Sequence, residues 1–159
     1  MLSIRTVLYA TDFSPNSETA FGLACALARD YGAKLVIQHV IMPPSALAYR
    51  EMVLRGELNE GFEAIEKKLR AVRPRDTGLA VEHRLTQGDA AQEILRLAGE
   101  VKADLVIMGT HGRTGLGRLM GSVAEKVVRQ APCPVLTLKA AAPAPDSDKV
   151  RQAVVQCQN

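Results

Sequence analysis

The chain has 159 residues, 47% of them apolar, which is enough for one domain with a buried core. Its 20 basic residues against 17 acidic ones leave a formal charge of +3, and they are scattered with few aromatics among them, which argues against a nucleic-acid surface. No apolar run approaches the roughly 20 residues that cross a bilayer, Met1-Leu2-Ser3-Ile4-Arg5 lacks a signal-peptide pattern, and Cys25, Cys133 and Cys157 lie too far apart for a disulfide framework or a cysteine metal site, so a soluble cytoplasmic protein without a membrane partner is expected.

Ile4 to Ala10 reads as a short apolar strand that ends in the polar turn Thr11-Asp12-Phe13-Ser14-Pro15. A first helix should start there, with Ser14 as cap and Pro15 at its first position. Ala20, Leu23, Ala24, Leu27, Ala28 and Tyr31 share one face before Gly32 stops it. Lys34 to Ile41 is nearly continuously apolar and β-branched, as in a strand covered on both faces. Met42-Pro43-Pro44-Ser45 reads as a loop. Leu58, Phe62, Ile65, Leu69 and Val72 then mark an amphipathic second helix that closes at Arg73-Pro74, and Gly56 and Gly61 loosen its start.

The alternation of Leu79, Val81, His83 and Leu85 with polar neighbours predicts a third strand with one wet face or at a sheet edge. Asp89 and Gln92 form a capping pair for a third helix that buries Ile94, Leu95, Ala98 and Val101. Ala103 to Met108 reads as a buried fourth strand. The spacing Ser122-x-x-Glu125 predicts a capped fourth helix with Val123, Val127 and Val128 inward, and a short last strand, Val135 to Lys139, follows Ala131-Pro132-Cys133-Pro134. Ala140 to Asn159 is rich in Ala, Pro and polar residues and reads as a flexible tail.

Five strands alternating with four helices imply a doubly wound α/β fold around a parallel sheet, Rossmann-like, with helices on both faces. Ligands of such folds bind where the strand order reverses. If the turn after strand one and the loop after strand four form one site, strands one and four are neighbours and the order is 3-2-1-4-5.

The loop in question, Met108 to Ala124, runs Met-Gly-Thr-His-Gly-Arg-Thr-Gly-Leu-Gly-Arg-Leu-Met-Gly-Ser-Val-Ala. A glycine-rich turn between strand and helix lets backbone N–H groups approach an anion, which points to a nucleotide and foremost to ATP. The same composition also suits a connection that serves only geometry. It is not a P-loop, since no Gly-Lys-Ser/Thr follows and no lysine lies between Gly109 and Ser122. Nor is it the dinucleotide fingerprint, because Gly115-Leu-Gly117 is followed by Gly121 one position late. With no such lysine and no evident base for water, hydrolysis should be slow or absent. His111 has no partner spacing for metal or triad chemistry, and His39 and His83 read as structural. Cys25 and Cys133 read as inert buried thiols.

Ala10-Thr-Asp-Phe-Ser14, His39-Val40, Gly109-Thr-His-Gly112, Gly121-Ser-Val-Ala-Glu125 and Ala131-Pro-Cys-Pro-Val135 together resemble the universal stress protein family, over residues 1 to about 139. The resemblance implies an adenine nucleotide, ATP or else ADP or AMP, with Mg²⁺ carried alongside. Ala10, Thr11, Asp12, Phe13 and Val40 would surround adenine and ribose, with Met108 and Gly109 beside them. Gly112, Gly121, Ser122, Val123 and Ala124 would face the phosphates, supplemented by His111 and by Arg113, which could equally be solvated. ATP-binding members space Gly-x-x-Gly and Gly-Ser/Thr by nine residues. This chain has eight, Arg113 to Met120, so its loop is one residue shorter.

The resemblance also implies a homodimer paired through the last strand, Pro134 to Lys139, and a nucleotide-dependent sensor or switch in stress response that acts on unidentified protein clients. The alternatives are a dimeric interaction module without nucleotide and a slow ATP hydrolase.

Overall fold

The computed structural model describes residues 3–55, 58–75, 77–110 and 120–139. In chain order they form β1 (Thr6–Ala10), α1 (Pro15–Tyr31), β2 (Lys34–Ile41), α2 (Ala46–Arg55), α3 (Leu58–Ala71), β3 (Val81–Gln87), α4 (Ala90–Glu100), β4 (Leu105–Gly109), α5 (Ser122–Gln130) and β5 (Val135–Leu138). All strand pairs are parallel and the order is β3-β2-β1-β4-β5, so the order reverses between β1 and β4 as expected. No helix among the described residues is long and apolar enough to cross a membrane.

Strand alternation divides the core in two. Val7 and Tyr9 of β1, with Leu35 and Ile37 of β2, face α1 and α3. Leu8 and Ala10, with Val36 of β2 and Val106 and Met108 of β4, face α4 and α5. Each fully buried leucine, such as Leu8 or Leu97, contributes about 2 kcal/mol by leaving water. α1 meets the sheet through Ala20, Ala24 and Ala28, spaced by one helical turn, and these small side chains let the helix lie close.

Several details differ from the sequence reading. α2 is an additional helix in what reads as loop and loose helix start; its apolar residues Leu47, Val53 and Leu54 are exposed, so no buried stripe announces it. β1 begins at Thr6 rather than Ile4, although Ile4 is buried. β3 runs two residues later than its alternation suggests and, as expected, lies at an edge. In α4 the fully buried leucine is Leu97, while Leu95 and Val101 are only partly covered. In α5 the inward residues are Ala124 and Val127; Val128 is 45% exposed. The expected tail, 140–159, lies outside the described residues.

Candidate functional site

The turn after β1 is built from its own hydroxyl and carboxylate groups. Thr11 N–H donates to the Gln38 carbonyl (2.9 Å), Phe13 N–H to Thr11 Oγ1 (3.0 Å), and Ser14 N–H to Asp12 Oδ1 (3.0 Å). Ser14 caps α1 by accepting from Ser17 N–H (3.3 Å). Ser17 Oγ–H donates to the Ser14 carbonyl (2.8 Å), and with its one hydrogen so used, Thr11 Oγ1 is the donor in the 3.1 Å contact between the two hydroxyls. Tyr9 Oη closes the network on the Ser17 carbonyl (2.7 Å), and burial raises its pKa.

Phe13 is held at φ +61°, a conformation that costs a non-glycine residue about 1–2 kcal/mol. Its ring offsets part of that cost by stacking on His39, centroids 4.3 Å apart, with Lys68 Nζ 4.5 Å from the ring centre. His39 donates Nδ1–H to the Thr11 carbonyl at 2.7 Å, since a carbonyl can only accept. The imidazole therefore braces the turn from β2.

Across the order reversal, Ala10 and Met108 stand in register, so the carboxyl ends of β1 and β4 lie side by side at one end of the sheet. Gly109 ends β4 beneath the start of α1: a Cβ there would meet Asn16 Cβ at 3.0 Å and the Asn16 carbonyl carbon at 3.1 Å. Its lack of side chain serves this close approach. Thr110 N–H continues the ladder to the Leu138 carbonyl (2.7 Å), and Gly121 N–H returns to the Thr110 carbonyl (2.8 Å), which brings the start of α5 back to the end of β4.

The expected Ser122–Glu125 cap is not formed. Gly121 is the cap residue and carries no side chain to bond the first-turn amides, while Ser122 is the first helical residue and exposed. The capping pattern fails because the chain turns into the helix one residue early. Ser122, Val123 and Ala124 therefore present N–H groups that the helix itself cannot satisfy, at its partially positive end. α4 starts nearby with the opposite solution. Asp89 accepts from Gln92 N–H (2.9 Å) and pairs with Lys126 of α5 (3.2 Å), and these two partners, in that order, hold its carboxyl below the ordinary range.

The predicted site residues thus divide between the two faces of the sheet. Ala10, Met108 and Ala124 are packed with Val40 and Val123 on the α4/α5 face. Thr11 and Phe13 turn to the other face, where with Tyr9, Phe21, Lys68 and Val72 they line a cleft of about 230 Å³ between α1 and α3. Asp12 is half-buried in the turn between them. His111, Gly112 and Arg113 lie outside the described residues. His39, read from the sequence as structural, has that role as the brace of the turn, whereas the sequence reading passes over Gln38, whose fully buried amide oxygen has no hydrogen-bond partner among the described residues. An amide inside an otherwise apolar strand was the available signal. Cys25 and Cys133 are half-buried, and burial pushes both thiols up, consistent with inert groups.

Residues 3–139 match the profile of the universal stress protein family. A universal stress protein of Thermus aquaticus is 39% identical over 138 residues, covering 85% of this chain and 98% of its own length. The universal stress protein MJ0531 of Methanocaldococcus jannaschii is 34% identical over 141 residues, covering 85% and 82%. A universal stress protein solved in complex with cAMP superposes with a TM-score of 0.66 at 32% identity, covering 88% of this chain and all of the other. The profile match over nearly the whole described chain and the identities to these relatives agree: the chain belongs to the universal stress protein family.

Proposed function

We propose that this protein is an ATP-binding universal stress protein that works as a nucleotide-dependent sensor or switch with little or no hydrolysis. The observation that carries the reading is the start of α5, where amides without a side-chain cap stand at the sheet end beside Ala10 and Met108. A related protein of the same fold holds cAMP, which supports an adenine nucleotide as the ligand class.

In this reading Gly121, Ser122, Val123 and Ala124 offer backbone N–H groups to the phosphates, and Gly112, His111 and Arg113 complete the cradle from the glycine loop. Ala10, Thr11, Asp12, Phe13, Val40, Met108 and Gly109 border the base and ribose. A helix end carries about half a positive charge, too little for a triphosphate, so Mg²⁺ bound with the nucleotide and the loop arginines supply the rest. The protein works in the cytoplasm as a homodimer. Among the described residues β5 pairs only with β4, leaving an edge for a second copy, and Leu136 on that strand is 37% exposed.

Calorimetric titration of wild type and Gly121→Val with ATP, ADP and AMP, with and without Mg²⁺, tests the ligand. Wild type should bind, and Gly121→Val should lose binding while its melting temperature holds, because a branched side chain fills the space the phosphates need. An empty wild-type site at millimolar ATP with Mg²⁺ would instead favour an interaction module, to which the shorter loop inclines. Sedimentation of the full chain decides the dimer.

A further inference from the structure

The cleft of about 230 Å³ between α1 and α3 lies on the sheet face opposite Ala10, Val40 and Met108, and the nucleotide reading leaves its interior unused. Its walls are the rings of Tyr9, Phe13 and Phe21 with the short side chains of Ala71 and Val72. Tyr9 and Phe21 meet tilted, centroids 5.2 Å apart, and Phe13 is stacked on His39. The hydroxyls that reach the cleft spend their hydrogens inside the fold, Tyr9 Oη on the Ser17 carbonyl and Thr11 Oγ1 on Ser17 Oγ. The lining is therefore aromatic and apolar and offers no hydroxyl donor.

Two charged residues complete it. Lys68 of α3 holds its Nζ 4.5 Å from the centre of the Phe13 ring. Glu18, in the first turn of α1, stands close enough to the Tyr9 phenol to add to the rise in its pKa, after burial and Asp12. Both residues are exposed, and among the described residues neither forms an ion pair, with the other or with any third group. An ammonium and a carboxylate at one cleft that do not reach each other are complementary to a ligand carrying both charges. Size sets the rest. An apolar cavity of about 150 Å³ holds a benzene ring, so this cleft has room for one ring and a short charged head attached to it.

We propose that the cleft binds a free α-amino acid with an aromatic side chain, its ring among Tyr9, Phe13 and Phe21, its carboxylate on Lys68 and its ammonium on Glu18. A ligand with one charge leaves the other charged residue unanswered, and an uncharged one leaves both. The ring joins the aromatic set by edge and face contacts. The site stands apart from the nucleotide reading, because none of the residues lining it belongs to β4 or α5.

Amide NMR titration of the full chain with L-phenylalanine tests the proposal, beside hydrocinnamate, which lacks the ammonium, and phenethylamine, which lacks the carboxylate. Phenylalanine should move the amide signals of Phe13, Phe21 and Val72 with a dissociation constant in the millimolar range or below. Each single-charge analogue should bind about fivefold more weakly, the upper end for an exposed ion pair. Lys68→Met keeps an apolar stem over Phe13 and removes the ammonium, so its preference for phenylalanine over phenethylamine should shrink to within about twofold while that over hydrocinnamate stays. Glu18→Gln should do the reverse. Both residues are exposed, so these variants change the charge of the cleft and not the core. No movement of those signals at about 10 mM phenylalanine, equal binding of the three ligands, or an unchanged preference in either variant overturns the proposal.

Discussion

α1 and α5 begin at the same end of the same sheet, one after β1 and one after β4, and they treat their first-turn amides in opposite ways. At α1 the Ser14 hydroxyl caps the helix, and side-chain groups of Thr11, Asp12, Ser17 and Tyr9 tie the turn together. At α5 the cap residue is glycine and offers nothing. One start is capped by its own turn and supplies shape; the other, among the described residues, has no side-chain cap for its amides. Under the function proposed above, the end left open at the order reversal is the one that receives the anionic phosphates.

Two glycines sharpen the contrast, because they lack side chains for different reasons. Gly109 is pressed beneath α1, and the atoms that a Cβ would meet include backbone, which cannot swing aside. Gly109→Val should destabilise the fold by about 3 kcal/mol, read as a lower urea midpoint at unchanged slope. A loss below about 1 kcal/mol would mean that α1 is free to shift, and the rigid start assigned to it would be wrong. Gly121 has φ −60° and ψ 150°, backbone angles open to any residue, so its bareness answers no local strain. Gly121→Asp should weaken ATP binding at least about 30-fold, near 2 kcal/mol, since its carboxylate takes the amides and repels phosphate. The same variant should leave the free protein as stable as before or a few tenths of a kcal/mol more so. Retained affinity would show that the open end of α5 is not where the phosphates go.

The reach of the sequence follows the same division. Strand order was legible because two motif-bearing turns had to meet, and the α1 boundaries were legible because Ser14, Pro15 and Gly32 act locally. α2 was not legible: its apolar residues face solvent, so periodicity had nothing to register. The α5 cap was misread because Ser122 and Glu125 fit a pattern that depends on where the chain enters the helix, and that entry is fixed by the bond from Gly121 N–H to the Thr110 carbonyl, which no spacing encodes. The side-chain bracing of the first turn by His39 and Lys68 needed the sheet register and the α3 docking together. Of the candidate site, the residues at strand ends were placed by topology; the opposite facing of Ala10 and Thr11 followed only from the pleat.

If the start of α1 is self-sufficient, weakening it should cost stability without touching the ligand. Ser14 is buried, and Ser14→Ala removes the acceptor for Ser17 N–H, so a loss of about 1 kcal/mol is expected in chemical unfolding. Affinity for ATP should change by less than about twofold, an energy within the noise of neutral substitutions. A loss of affinity as large as that of Gly121→Asp would mean that the two helix starts act as one unit.

α4 gives the smallest effect and the cleanest sign. Its cap, Asp89, is charged, and its carboxyl is held below the ordinary range by the Gln92 N–H first and the Lys126 ammonium second. A group whose folded pKa is depressed adds stability above its unfolded value, near pH 4, and loses it as pH falls through the folded value. Asn caps nearly as well as Asp but does not titrate. Wild type should therefore melt slightly above Asp89→Asn at neutral pH, and the gap should narrow as acidification passes below the ordinary carboxylate range and through the depressed folded value. Because the site is exposed, added salt should narrow the neutral-pH gap as well. A gap that stays constant with both pH and salt would mean that Asp89 works by geometry alone, and that among these helix starts charge is used only where a ligand brings it.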